Sequence, residues 1–246
     1  MLKRLFDFVA ALGGLIILSP ILVTTMVLIW LQDFHSPLYL APRIRRKDQK
    51  FRMVKLRSMV VNADQFGGTS TAGTDKRVTW IGRLIRKFKL DEFSQLWNVM
   101  VGEMSLVGPR PQAEFDASLY TDEENRLFDV RPGITDFSSI VFSDEGTILE
   151  GSDNPDLKYN QLIRPWKSRL GLFYIQNHSL LLDIKLIFVT LIAIVSRPAA
   201  LKLVKKMLID LDADEELVRI AGRSEPLVPH PPPGAKRVAN FNNIFS

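Results

Sequence analysis

Asp91 and Glu92 stand side by side among cations, with Arg86, Lys87 and Lys89 just before them and Arg110 after. A carboxylate in such company can serve as a nucleophile toward phosphorus, as in reactions that pass through an aspartyl-phosphate. The cations would neutralise a phosphate group as it is attacked, the electrostatic contribution that dominates phosphoryl-type transfer. The spacing places Asp91 at a helix start, where free backbone N–H groups and the macrodipole favour a charged carboxylate. Glu92 beside it can hold a divalent metal. In "VGPRP", Pro109 and Pro111 stiffen the chain around Arg110 and preorganise it to clamp an anion. The plainer alternative is that Asp91 is an N-cap and Glu92 a first-turn dipole partner.

Composition narrows the chemistry. The 246 residues suffice for one substantial domain with appendages; they include no cysteine and only three histidines, His35, His178 and His230. Disulfides, thiolate zinc sites and cysteine nucleophiles are thereby excluded, and scattered histidines argue against a histidine metal centre or a Ser-His-Asp triad. A net charge of +5 points to an anionic partner. No aromatic-rich nucleic-acid module is visible, so that partner is expected to be a phosphorylated small molecule or an anionic membrane rather than a nucleic acid.

The elements that must position these groups begin with 24 uncharged residues, Phe8 to Leu31. A helix of that length spans a bilayer core of about 30 Å. Ser19-Pro20 lies in its middle, where proline removes a backbone donor and a sharp kink is expected. Both flanks are basic, Lys3 and Arg4 before it and a run from Arg43 to Arg57 after it, and positive-inside reasoning wants both in the cytoplasm. A single span and a re-entrant helix broken at Ser19-Pro20 both remain open on these features. "FRMVKLRSM" at 51–59 alternates as a strand or ribbon would, and 62–76 reads as a loop. Ile81, Leu84, Ile85 and Phe88 make a basic amphipathic helix suited to an anionic membrane surface. Leu90 to Met100 reads as one helix ended by Gly102. Residues 116–130 read as a helix with "TDEEN" as its capped start, "RPGITDFSS" as a turn or loop, and 142–156 as an acidic insertion. Lys158–Val195 reads as helical, its terminal "LIFVTLIAIV" too short to span and so core or interfacial. Leu201–Leu211 is basic and amphipathic, and the tail after Arg223 is proline-rich and expected to be disordered.

Several pieces together resemble the bacterial sugar transferases, small monotopic phosphoglycosyl transferases that begin surface-glycan assembly. They are "KRLFDFVAALGGLIILSP" (3–20), "FRMVKLRSM" (51–59), "RPGIT" (131–135), "YIQNHSLLLDIKLI" (174–187) and the long, specific "GRLIRKFKLDEFSQLWNVMVGEMSLVGPRP" (82–111). The resemblance implies transfer of a sugar-1-phosphate from a UDP-sugar to a polyprenyl phosphate such as undecaprenyl phosphate, with release of UMP. It implies that Asp91 forms a covalent phosphosugar intermediate, that Glu92 works with Mg²⁺ alongside Asp91, and that Lys55, Arg57, Arg86, Arg110 and Arg131 bind phosphate or substrate. It implies an α+β, mainly helical fold: a re-entrant membrane helix (1–34) breaking at Ser19 and Pro20, and a compact membrane-surface catalytic domain (35–200) with amphipathic helices and a small β element. A basic helix and proline-rich tail (201–246) follow. The expected location is the cytoplasmic face of a bacterial inner membrane, against anionic lipids; self-association is left open.

The chain departs from the family pattern at Asp136, where glycine is usual, at Ser139, where glutamine is common, at Gly171, where aspartate is common, and in "RIRRK" (43–47). These changes leave the sugar undetermined. Two rival readings are a metal-dependent glycosyltransferase using "DLD" at Asp210–Asp212, and a non-enzymatic membrane-anchored binding protein. The first lacks the strand and turn context around its motif; for the second, no nucleic-acid module is visible and anionic headgroups account for the cations near the membrane.

Overall fold

A computed structural model of the chain describes residues 1–46, 49–63 and 75–240. Most of the loop expected at 62–76, and Lys47 of "RIRRK", lie outside the described residues.

The apolar run forms one helix, α1 (Leu2–Asp33), which continues through Pro20. Proline at position 20 cannot bond the carbonyl of residue 16, and Ser19 Oγ donates to Ile16 O instead, at 2.8 Å. The Ser-Pro pair thus supplies its own replacement bond, and the helical assignment is unbroken where a break was expected. Ala11, Leu15, Leu18, Leu22 and Ile29 form one stripe that packs on the rest of the molecule. The opposite face exposes Leu12, Ile16, Val23, Val27 and Leu31. At about 1.5 Å per residue the helix is about 48 Å long, and both of its ends are tied to the same body. Near its start Asp7, 1% exposed, accepts from Ser105 Oγ (2.9 Å) and Leu106 N (3.1 Å). Lys3 pairs with the buried Asp183. At its end the Asp33 carboxylate takes both terminal nitrogens of Arg57 at 2.5 and 2.6 Å.

Strands β1 (Leu38–Arg46) and β2 (Gln49–Leu56) form an antiparallel hairpin, with Ala41 opposite Met53 and Tyr39 opposite Lys55. Alternation buries Phe51 and Met53, and Lys55 follows on that same inward face. Helix α2 (Trp80–Lys87) is capped by Thr79, whose hydroxyl accepts from Gly82 N at 2.9 Å. A Cβ on Gly82 would sit 1.8 Å from Ser58 O, so only glycine lets α2 approach the hairpin this closely. Ile81 and Ile85 are buried, while Trp80, Leu84 and Phe88 are exposed.

The single helix expected from Leu90 to Met100 is two, α3 (Leu90–Phe93) and α4 (Leu96–Val101). Ser94 Oγ bonds Asp91 O (2.8 Å) and Val54 O (3.1 Å), a side-chain competition that ends the first turn early. Gly102, at φ 90°, terminates α4 as its position suggests. Arg4 of α1 donates to the last carbonyls of α4, Val99 O and Met100 O, at 2.5 and 2.6 Å.

Strand β3 (Ser105–Val107) is followed by α5 (Glu114–Ser118) and a 3₁₀ segment, Glu124–Asp129. One helix was expected across 116–130, but its capped start is correct: Thr121 Oγ1 accepts from Glu124 N (3.1 Å) and Glu124 returns the bond to Thr121 N (3.0 Å). "RPGIT", expected as a turn, contains β4 (Gly133–Thr135), parallel to β3. Its pairing brings Gly133 so near Gly108 that a Cβ there would lie 2.1 Å from Gly108 N.

Helices α6 (Phe137–Val141), α7 (Glu145–Leu149), α8 (Pro155–Leu162), α9 (Arg164–Asn177), α10 (Leu180–Val195), α11 (Arg197–Asp210) and α12 (Glu215–Ala221) complete the chain. Breaks at Ile163 and at Ser179, which caps α10 through Leu182 N (3.1 Å), divide the helical stretch expected over 158–195. Phe137, Trp166, Tyr174, Leu186, Val204, Leu208 and Leu217 from α6 and α9–α12 share one core. The outer face of α10 exposes Leu181, Ile184, Phe188, Leu191 and Ile194. The tail has no regular structure over 224–240, yet it is not loose. His230 N donates to Gln161 O (3.0 Å), its ring lies 4.4 Å from that of Trp166, and Gln161 Nε2 reaches Ala239 O (2.8 Å). Among the described residues the fold is mainly helical, with two small sheets and one apolar helix long enough to cross a membrane.

Candidate active site

Three elements deliver the central charges. β2 ends with Lys55 facing inward, the left-handed turn at Lys89 (φ 55°) starts α3 and projects Asp91 and Glu92 from its first turn, and the loop after β3 carries Arg110. Lys55 Nζ lies 3.5 Å from Asp91 Oδ2. Glu92 Oε1 accepts from Arg110 at 3.0 Å and lies 3.4 Å from Lys89 Nζ. Arg86 is steadied by Ser58 Oγ at 3.1 Å and feels the field of Asp91. The backbone of Asp91 is pinned at its carbonyl by Ser94 Oγ (2.8 Å) and Gln95 Nε2 (3.4 Å). Asp91 and Glu92 are 17% and 16% exposed, so each carboxylate is shielded yet reachable.

The electrostatics follow from partial burial of excess cations. Burial pushes the Lys55 ammonium down, and Arg110 and Arg43 push the same way, while Asp91 opposes them. Burial would by itself raise the Glu92 carboxyl, but Arg110, Lys89 and Lys55 outweigh it and hold the group below its usual value of 4.5. A carboxylate depressed in the folded state contributes stability above its unfolded pKa and loses it as the pH falls through the folded one. Glu92→Gln is therefore expected to cost about 1–2 kcal/mol at neutral pH. The gap between the two melting temperatures should close as the pH falls through and below the ordinary glutamate value of 4.5. A gap that stays constant over that range would contradict the pairing.

A cleft of about 280 Å³ opens beside this cluster, lined by Glu92, Arg110 and Lys89 on one side and by Glu145 and Lys167 on another. Asp91 adjoins Glu92 but is not part of the lining. Lys167 of α9 pairs with Glu145 at the start of α7. Neither residue carried a local signal in the sequence: Glu145 belongs to the acidic insertion, and Lys167 is far along the chain from the carboxylate pair.

The structure gathers Lys55, Arg86, Asp91, Glu92 and Arg110 in one place. Arg57 is elsewhere, bound to Asp33 and to Ser36 O (2.8 Å), and Arg131 is exposed on the loop before β4, outside the cluster. Ser19 and Pro20 are exposed at the middle of α1. Asp210, the last residue of α11, and Asp212, in the turn after it, are exposed and do not line the cleft. The departures at 136 and 139 are coupled to each other: buried Asp136 caps α6 by accepting from Ser139 N (2.8 Å) and Ser139 Oγ (2.8 Å). Gly171 leaves room for Leu127 and Pro109, since a Cβ there would lie 2.8 Å from Leu127 Cδ2. Among the described residues no three acidic or histidine side chains converge as a metal cage. The hard oxygens of Asp91 and Glu92 suit instead a cation held by one or two carboxylates together with ligand phosphates.

Comparison with known proteins identifies the family. Residues 1–197 match the family described as bacterial sugar transferase. The chain is 32% identical, over 77% of its length and 43% of the relative's, to a UDP-N-acetylgalactosamine-undecaprenyl-phosphate N-acetylgalactosaminephosphotransferase of Aeromonas hydrophila. It is 37% identical, over 77% of its length and 35% of the relative's, to an undecaprenyl-phosphate glucose phosphotransferase of Komagataeibacter xylinus. It is 33% identical to an exopolysaccharide production protein of Sinorhizobium fredii, over 78% and 84% of the two chains. The chain thus spans less than half the length of the first two relatives and most of the third. With its carboxylate pair among cations beside an apolar helix, this chain belongs to the bacterial sugar transferase family.

Proposed function

We propose that the protein transfers a sugar-1-phosphate from a UDP-sugar to a polyprenyl phosphate at a membrane surface, early in the assembly of a surface glycan such as an exopolysaccharide. The observation that carries this is Asp91 held 3.5 Å from Lys55, directly beside the Glu92–Arg110 pair at 3.0 Å. Such a carboxylate can attack where a diphosphate is neutralised, and the names of two relatives supply the undecaprenyl phosphate acceptor.

In the first step an Asp91 carboxylate oxygen bonds to the β-phosphorus of the donor, and the bond from that phosphorus to the bridging oxygen breaks. UMP departs with the electron pair, leaving the phosphosugar on Asp91. In the second step an oxygen of the lipid phosphate bonds to the same phosphorus, the acyl-phosphate bond breaks, and the carboxylate is restored. Lys55 and Arg86 neutralise the phosphoryl oxygens near Asp91, and Arg110 holds Glu92 in place and faces the cleft. Mg²⁺, held by Glu92 with Asp91 and the donor phosphates, would add charge neutralisation at the diphosphate.

The reaction needs a water-soluble donor and a lipid acceptor to meet one carboxylate in turn. We place the protein at the cytoplasmic face of a bacterial inner membrane. There α1 dips in, bends at Ser19-Pro20 while staying helical, and returns to the same face, and the exposed apolar faces of α1, α2 and α10 meet the lipid under basic, headgroup-facing side chains. Both ends of α1 binding the same body supports this over a crossing that carries one end to the far side. Because the chain has no native cysteine, single cysteines introduced at Leu2 and at Ser36 should both react with an impermeant maleimide from the cytoplasmic side only. Labelling of the two from opposite sides would overturn the re-entrant placement.

The functional proposal is tested by mass spectrometry of the protein incubated with a panel of UDP-sugars and Mg²⁺ without lipid. The expected result is a phosphosugar on the peptide containing Asp91, formed with release of UMP. Transfer of β-³²P from the donor to lipid with no enzyme-linked species at any time would overturn it.

A further inference from the structure

Residues 198–240 lie beyond the segment that the family match covers, yet Arg223 among them, together with Arg197 at the last matched position, reaches back to one wall of the cleft. Arg197, at the head of α11, donates to Val141 O (3.1 Å) and Ser143 Oγ (3.1 Å) and meets Asp144 Oδ1 at 2.8 Å. Arg223, just after α12, meets Asp144 Oδ2 at 3.1 Å and lays its guanidinium 5.4 Å from the centre of the Phe142 ring. The Asp144 carboxylate therefore has one arginine on each oxygen. The very next residue is Glu145, paired with Lys167 across the cleft wall.

This wall differs in kind from the opposite one. Around Asp91 and Glu92 cations are in excess, which suits a diphosphate. Along α6–α7 the cleft presents the Glu145 carboxylate and the Ser139 and Ser143 hydroxyls, and α9 adds the Lys167 ammonium. A fixed carboxylate repels phosphate but accepts well from hydroxyl groups, and a paired lysine donates to hydroxyl or ring oxygens. Lys167, Arg110 and Lys89 outweigh the effect of burial and keep the Glu145 carboxyl below its ordinary value, so it stays an acceptor at neutral pH.

We infer that the Glu145–Lys167 wall binds the sugar ring of the donor, that it favours a neutral sugar over a uronate, and that Arg197 and Arg223 are positioning residues which set the wall through Asp144. This rests on the functional proposal for its donor class. It gives Arg223, beyond the matched segment, a definite role, that of bracing together with Arg197 the part of the site that selects the sugar. The clamp costs little mobility to hold, because α11 and α12 are already anchored in the core by Val204, Leu208 and Leu217.

The test measures binding of UDP-glucose, UDP-glucuronate and UDP to the full-length protein in detergent, alongside KM and kcat. The unsubstituted protein is expected to prefer UDP-glucose to UDP-glucuronate. Glu145→Gln should weaken UDP-glucose by about tenfold relative to UDP and erase the discrimination against UDP-glucuronate. Arg223→Ala should raise KM for the UDP-sugar by about threefold or more, with a smaller fall in kcat, and Arg223→Lys should recover most of the loss. Equal weakening of UDP-glucose and UDP in these variants, or no change in either, overturns the inference while leaving the functional proposal intact. Folding is controlled by the melting temperature and by the Arg223→Lys variant. Failure of the unsubstituted protein to bind any of the three nucleotides overturns the donor assignment itself, and this inference with it.

Discussion

Asp91→Asn is expected to lower phosphosugar transfer by about 10³-fold or more and to abolish the covalent adduct, while the protein stays folded. The amide has nearly the shape of the carboxylate but neither its charge nor its nucleophilic oxygen pair. The backbone contacts that hold the turn, from Ser94 and Gln95 to the Asp91 carbonyl, do not involve the side chain and survive the change. Lys55, 25% exposed, loses its counter-charge, which should cost the order of 1 kcal/mol. The activity loss therefore reports chemistry rather than unfolding. UMP release, adduct mass and melting temperature measured on the same preparation separate the two. A variant that keeps about a tenth of the activity would show that Asp91 is not the group that bonds to phosphorus.

The largest expected loss of stability is at Glu124. Its side chain is 0% exposed and accepts from Arg164 Nε (3.0 Å), Ser168 Oγ (2.7 Å) and Thr121 N (3.0 Å), with a further contact to the terminal nitrogen of Arg164. Arg164 also donates to Asn160 Oδ1 at 3.0 Å and lies 5.2 Å from the Tyr120 ring centre. Glu124→Leu leaves the guanidinium buried without its counter-charge, a situation that costs about 3–5 kcal/mol. Replacing both partners, Glu124→Leu with Arg164→Met, removes the stranded charge and should recover at least half of that loss. Chemical denaturation in detergent checks both. If the paired variant were no more stable than Glu124→Leu alone, the loss would lie in packing and not in the uncompensated charge. The pair sits behind the cleft, where Arg164, Ser168 and Lys167 border a small inner cavity that reaches Arg110. Loosening it should therefore reach the site through α9.

The two losses differ in what the sequence announced. The local signals around Asp91 are dense: a carboxylate pair at a helix start, a glycine stop and a proline-flanked arginine all fall within 23 residues, Lys89 to Pro111. Interactions at that range are written in the chain, because neighbouring residues meet whatever else the molecule does. "TDEEN" was legible as a capped start for the same reason, since Thr121 and Glu124 cap each other. That Glu124 is also buried against Arg164 was not legible, because nothing in a sequence joins residues 40 positions apart.

The apolar run, the strand-like alternation read at 51–59 and realised as far as Leu56, the amphipathic α2 and the stop at Gly102 all follow from period and propensity, which a sequence carries directly. Tertiary structure decided the rest. Lys55 and Arg57 are two positions apart and equally cationic, but β2 ends at Leu56, so alternation directs Lys55 inward to Asp91 while Arg57 turns to the end of α1. "RPGIT" read as a turn, and only the approach of Gly108 to Gly133 made part of it a parallel strand. The tail looked too proline-rich to order, and contacts with Trp166 and Gln161 hold it against the core. The opposing wall of the cleft, Glu145 with Lys167 under the two-arginine clamp, is assembled from segments that touch only once the helices pack. A chain encodes its local turns through steric and hydrogen-bonding preferences of a few neighbouring residues, whereas which distant charges meet depends on burial that exists only in the folded whole.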